Sequence, residues 1–112
     1  MIARIWHGMT KASDAAAYLR FLEQRAIPDY QSVAGNRGVH ILHRIEGDRA
    51  HFLTLTFWDS RKAIEAFAGK DIEIAKYYPE DKDFLLEFER TVTHYEVSSA
   101  EKQLPHARGR SG

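Results

Sequence analysis

Apolar residues along the chain switch between two periods, and the switches mark six elements. Residues 2–8 (Ile-Ala-Arg-Ile-Trp-His-Gly) read as a strand. Ile2, Arg4 and Trp6 share one side of it, and Ala3, Ile5 and His7 the other. Over 12–27 the period lengthens, and Ala15, Leu19, Leu22 and Ala26 form one helical face with Ser13 or Asp14 as N-cap. Pro28 disfavours helical geometry at Ile27 and opens a new turn over 29–32, after which Gly35-Asn36 and Gly38 mark a loop.

Residues 38–46 and 49–58 read as two strands joined at Gly47-Asp48, a two-residue hairpin signal. That turn sets a register in which His43 faces Phe52, Leu42 faces Leu53 and Ile41 faces Thr54. One side of the hairpin then carries Ile41, His43, Phe52, Thr54, Thr56 and Trp58. The other carries His40, Leu42, Arg44, His51, Leu53 and Leu55. Both sides are apolar over most of their length, whereas a sheet with one solvated face alternates apolar and polar. Two helices suffice to cover one face. The pattern therefore expects a second copy of the chain on the other, and so a homodimer.

Asp59-Ser60 caps a second helix with Ala63, Ile64 and Phe67 inward, and Gly69 sits at its stop. Helical character resumes over 71–77 and is closed by Pro79. Asp81 caps a short turn over 82–87, and residues 91–97 alternate as a last strand. From Ser98 the chain is small and polar, which divides it into a domain over 1–97 and a flexible tail over 98–112. The order βαββαβ, with right-handed crossovers, is an α+β ferredoxin-like split sheet with helices on one face.

Composition narrows the chemistry. The 112 residues hold 16 basic and 16 acidic side chains, so net charge gives no drive toward nucleic acid or an anionic membrane. The absence of cysteine removes disulfides, thiolate nucleophiles, thiolate zinc sites and iron–sulfur clusters. No apolar run is long enough to span a membrane and the N-terminus has no signal pattern, so a cytoplasmic location is expected. Six Phe, five Tyr, two Trp and six His remain to be placed in a core, an interface or a pocket for a flat ligand.

Residues 2–8, the segment Thr54-Leu55-Thr56-Phe57-Trp58-Asp59-Ser60, the following Lys62-Ala63-Ile64 and the closing His94-Tyr95-Glu96-Val97 resemble the antibiotic biosynthesis monooxygenase-like superfamily. The resemblance covers about residues 1–97. It implies a ferredoxin-like domain paired into a dimeric α/β barrel. Members include cofactor-independent quinone-forming oxygenases, haem-degrading oxygenases and proteins with no assigned activity. In the haem-degrading branch an Asn stands on the first strand, with a Trp and an axial His on the second helix. Aligned on Trp58-Asp59-Ser60, those positions hold Ile5, Phe67 and Tyr77. The alignment also directs Ile5 toward the helices, where the superfamily keeps its pocket.

On these grounds the expected function is that of a cofactor-independent monooxygenase acting on a flat aromatic or quinol-type molecule, with no cofactor and no metal. His7 shares the side of Ile5, and its ordinary pKa near the working pH suits a general base. Tyr77 is the oxyanion donor that the alignment aims into the same cavity, and Phe67 and Trp58 are its walls. The alternative is a non-catalytic dimeric module that binds a small hydrophobic ligand or another protein, and haem degradation is a third reading. His40-x-x-His43 has the look of a metal pair, but an offset of three along a strand sends the two rings to opposite faces. An inward Arg4 or Arg44 needs a carboxylate or an anionic ligand. No Ser/His/Asp set or phosphate loop is present.

Overall fold

In a computed structural model that describes residues 1–99, the strands are β1 (Ile2–Lys11), β2 (Asn36–Glu46), β3 (Arg49–Trp58), β4 (Leu85–Phe88) and β5 (Thr93–Glu96). They form one antiparallel sheet in the order β2-β3-β1-β4, with β5 pairing on the same side of β1 as β4. This is the expected α+β ferredoxin-like plan. The hairpin has the register that the Gly47-Asp48 turn dictates, with His43 opposite Phe52, Leu42 opposite Leu53 and Ile41 opposite Thr54. Among the described residues no helix is long and apolar enough to cross a membrane. Most of the expected tail, residues 100–112, lies outside the described residues.

Pairing of β1 with β3 sorts the side chains by face. Ile2 lies opposite Trp58, Arg4 opposite Thr56, and Trp6 opposite Thr54. All six are buried beneath the helices, together with Phe52 and Ala50. Ala3, Ile5, His7 and Met9 take the opposite face. β1 runs on past Gly8, where the strand was expected to end. A Cβ at Gly8 would lie 2.3 Å from the Trp6 ring, so the glycine is there to let the indole fold across the backbone.

The first helical run is α1 (Ala15–Phe21), a π-helical turn over Leu22–Ala26, and α2 (Ile27–Gln31). Pro28 does not end it. The proline falls in the first turn of α2, and the wide turn before it absorbs the missing N–H. The buried stripe is Tyr18, Leu22, Ala26 and Tyr30, while Ala15 and Leu19 are only half-buried. Neither Ser13 nor Asp14 caps the run. It begins from a 3₁₀ turn at Ala12–Asp14, whose first N–H bonds the Asp48 carbonyl at 2.8 Å.

α3 (Arg61–Ala68) behaves as read. The Ser60 hydroxyl accepts the Ala63 N–H at 3.1 Å, and Gly69, at φ 93°, ends the helix. Ile64 and Phe67 face the core. The helix expected over 71–77 does not form. That backbone bonds the sheet edge instead, with Ala75 N–H to Arg90 O and Val92 N–H to Glu73 O, each at 2.9 Å. A 3₁₀ turn at Pro79–Asp83 follows, and β4 lies where a turn over 82–87 was expected. The last strand of the split sheet is therefore in two pieces. β4 pairs with Gly8–Thr10 and β5 with Ile2–Ile5, and the chain breaks away between them.

Candidate functional site

Strand alternation gives the sheet a bare face. Ile5, His7, Leu42 and Leu53 stand next to one another on it, and Leu42 and Leu53 are 44% and 37% exposed. With His43, Arg44, His51 and Glu89 they line a concavity of about 600 Å³. The alignment directed Ile5 and His7 toward the helices. The register places both on the opposite face, because they alternate with Arg4 and Trp6, whose side chains fill the helix side.

Four side chains form a line here, His7, His51 and Glu89 on the wall of the concavity and Glu46 at its solvent-facing edge. His51 Nε2 lies 2.8 Å from Glu46 Oε1, His51 Nδ1 lies 3.3 Å from His7 Nε2, and His7 Nδ1 lies 3.3 Å from Glu89 Oε2. The two imidazoles are nearly parallel, at 9°. The hydrogen bond from His51, joined by the charge of Arg44, holds the Glu46 carboxyl below its ordinary range. His7 is the only member of the line that the sequence reading singled out. His51 was detectable once β1 was paired with β3. His7 lies opposite Leu53, and His51, two residues earlier on the same strand, is its diagonal neighbour. Glu89 was not, because its position depends on the break in the last strand.

The helix side holds the other three expected site residues, and they are packed. Trp58 is fully buried and its Nε1 donates to Thr56 Oγ1 at 2.8 Å. Phe67 stacks on Tyr30 with ring centroids 4.3 Å apart and touches Trp58. The Tyr77 hydroxyl donates to the Glu89 carbonyl and accepts from Trp6 Nε1 at 2.9 Å. Tyr77 borders a cavity between sheet and helices, but that cavity measures about 20 Å³, room for a single water. His7 and Tyr77 thus lie on opposite faces of the sheet and share no cavity. Arg4 is inward and buried rather than reaching out to the edge, and among the described residues no carboxylate forms an ion pair with it. Its guanidinium donates to the Ile74 carbonyl at 3.2 Å and rests 5.7 Å from the centre of the Phe67 ring. His40 and His43 point to opposite faces, and among the described residues no cluster of three or more His, Asp or Glu could hold a metal.

The domain thus has the fold class that the sequence order predicted, and solved structures of the same class exist. A Bacillus cereus protein provisionally named an antibiotic biosynthesis monooxygenase aligns at TM-score 0.63 and 12% identity, over 90% of this chain and 96% of its own. The haem degrader MhuD of Mycobacterium tuberculosis, with two haems in its active site, aligns at 0.62 and 17%, over 91% and 100%. A point variant of MhuD with two manganese protoporphyrins per active site aligns at 0.60 and 16%, over 91% and 99%. At these identities the likeness is one of fold. No protein-family model and no curated protein matches the chain.

The residues present do not fit a haem. A porphyrin is far larger than the helix-side cavity, and Phe67 and Tyr77 are committed to Tyr30 and Glu89. On the open face His7 and His51 each direct one nitrogen at the other and one at a carboxylate, which leaves neither for an iron, and the ring of His43 at the rim is stacked on Phe52.

Proposed function

We propose that the protein is a cofactor-independent monooxygenase-type enzyme for a flat aromatic or quinol-type molecule, with His7 as its base and the open sheet face as its site. The observation that supports this is the setting of His7, an imidazole backed by a carboxylate above an apolar floor of Ile5, Leu42 and Leu53. Chemistry of this kind needs an acceptor for the substrate proton and a surface that excludes water.

The reaction balances without a metal or flavin. His7 removes a proton from a ring CH₂ activated by a neighbouring carbonyl, and the carbanion's electrons reduce dioxygen as a C–O bond forms. The resulting hydroperoxide loses water. The CH₂ has then lost two hydrogens and gained one oxygen, and the second oxygen atom has left as water.

A second copy of the chain, laid on the same face, closes the concavity and covers Leu42 and Leu53. The homodimer is part of the proposal for that reason. Tyr77, Phe67 and Trp58 have no role in it beyond holding the sheet.

The test is oxygen uptake with anthrone under air. The parent protein is expected to consume oxygen and form anthraquinone, and His7→Phe to fall to the uncatalysed rate. No uptake by the parent leaves a ligand-binding module. Uptake unchanged in His7→Phe removes His7 as the base.

A further inference from the structure

The line Glu46–His51–His7–Glu89 contains three hydrogen-bonding links but only two protons to fill them. A neutral imidazole carries one N–H and one lone pair. If each ring donates to its carboxylate, the lone pairs of His51 Nδ1 and His7 Nε2 face each other across 3.3 Å. If one ring donates to the other, one carboxylate loses its donor. Either tautomer leaves the line one proton short. A third proton completes it, and the imidazolium so formed is flanked by a carboxylate at each end.

We infer that the His7–His51 pair is a built-in acceptor for one proton, and that the pocket binds neutral hydroxyarenes or enols and holds them as their anions. The proton passes from the ligand O–H into the gap between His51 Nδ1 and His7 Nε2, and the O–H electron pair stays on the ligand oxygen. The anion lies beside the imidazolium. Arg44, on the wall of the same concavity and 3.6 Å from Glu46, supplies a second positive charge. His51 thereby becomes a proton-accepting residue equal to His7, while Glu46 and Glu89 position the rings and stabilise the charge. The inference rests on the open-face pocket being the site, and it adds both the acceptor's identity and the ligand class.

The experiment is an anaerobic titration of the full-length protein with 2-naphthol near neutral pH, read as an absorbance difference spectrum. The expected result is the naphtholate spectrum for bound ligand. His51→Gln is expected to cut the ionised fraction by about tenfold or more, as removal of a charge-stabilising partner does. Glu46→Gln, a change at a solvent-facing carboxylate, is expected to act in the same direction without altering the melting curve. A merely structural role for Glu46 would leave the spectrum of bound ligand unchanged.

Bound naphthol that stays neutral, no binding at all, or full ionisation in His51→Gln overturns the inference. Naphtholate formation with no oxygen uptake on anthrone leaves the inference standing and removes the oxygenase reading. Oxygen uptake that is indifferent to both His51→Gln and Glu46→Gln does the reverse.

Discussion

His7 and Tyr77 reach the same residue from opposite faces of the sheet. The His7 imidazole meets the Glu89 carboxylate at 3.3 Å on the open side, and the Tyr77 hydroxyl donates to the Glu89 carbonyl on the helix side. Trp6, one residue from His7 in sequence, joins Tyr77 there through its indole N–H. Glu89 is therefore a seam. Its backbone is spent on the core, and its side chain is left for the pocket.

Tyr77→Phe separates these two roles. The ring keeps its edge contacts with Trp6 and Phe88, both hydrogen bonds of the hydroxyl are lost, and the Trp6 N–H keeps the Glu89 carbonyl at 3.2 Å. Denaturant unfolding is expected to show a loss of about 1 kcal/mol. Oxygen uptake is expected to stay at the parent rate, because the sheet lies between this hydroxyl and the open face.

Placing a charge on the bare face tests the dimer. Leu53→Lys puts an ammonium on the apolar floor at a position that is exposed in the protomer, so folding should be spared. Size-exclusion chromatography with light scattering is expected to show a dimer for the parent and a monomer for this variant. A monomeric parent overturns the covered-face argument.

Phe52→Ala removes a fully buried ring that packs edge-on to Tyr18 at 5.0 Å and beside His43 at 5.4 Å. The expected cost is about 3–5 kcal/mol, measured by denaturant unfolding. A much smaller loss would mean that the helix-side core collapses around the gap.

Asp29 gives a pH signature. Burial pushes its carboxyl up, but the Tyr78 hydroxyl at 2.6 Å and the Lys76 ammonium at 3.0 Å outweigh that and hold it below the ordinary range. A carboxyl lowered in the folded state contributes fully above its unfolded value of about 4 and loses that contribution as pH falls through the folded value. Asp29→Asn is expected to cost about 1 kcal/mol near neutral pH. The gap between parent and variant should shrink on acidification below about pH 4, read from unfolding curves at stepped pH.

The sheet was legible because its signals are local. Gly47-Asp48 sets the hairpin register, and alternation then assigns every side chain of β2 and β3 to a face. The absence of a polar side on that hairpin led to the expectation of a second copy on the open face, where Leu42 and Leu53 stand exposed in the protomer. The candidate site was less legible, because it depends on long-range pairing. Which face His7 occupies follows from the buried set Arg4, Trp6 and Thr54, and a buried arginine is not what apolar patterning anticipates. Tyr77 was misplaced because residues 71–77 have helical character in isolation. Their N–H and C=O groups are instead taken by Arg90 and Val92, contacts invisible to a local window.

The π-helical turn over Leu22–Ala26 has a consequence for phase. Residues four apart on an α-helix advance by slightly more than a full turn, so a stripe spaced only by fours drifts around the axis. Tyr18, Leu22, Ala26 and Tyr30 are spaced only by fours and yet all remain buried, because the wider turn unwinds the drift midway. Removing one residue between 22 and 26 would restore α geometry with the downstream phase kept, whereas straightening the turn with all its residues in place would swing everything downstream by about 100°. Tyr30 would then leave Phe67, and Asp29 would leave Lys76 and Tyr78, so the wide turn fastens both the aromatic stack and the coil that closes the core.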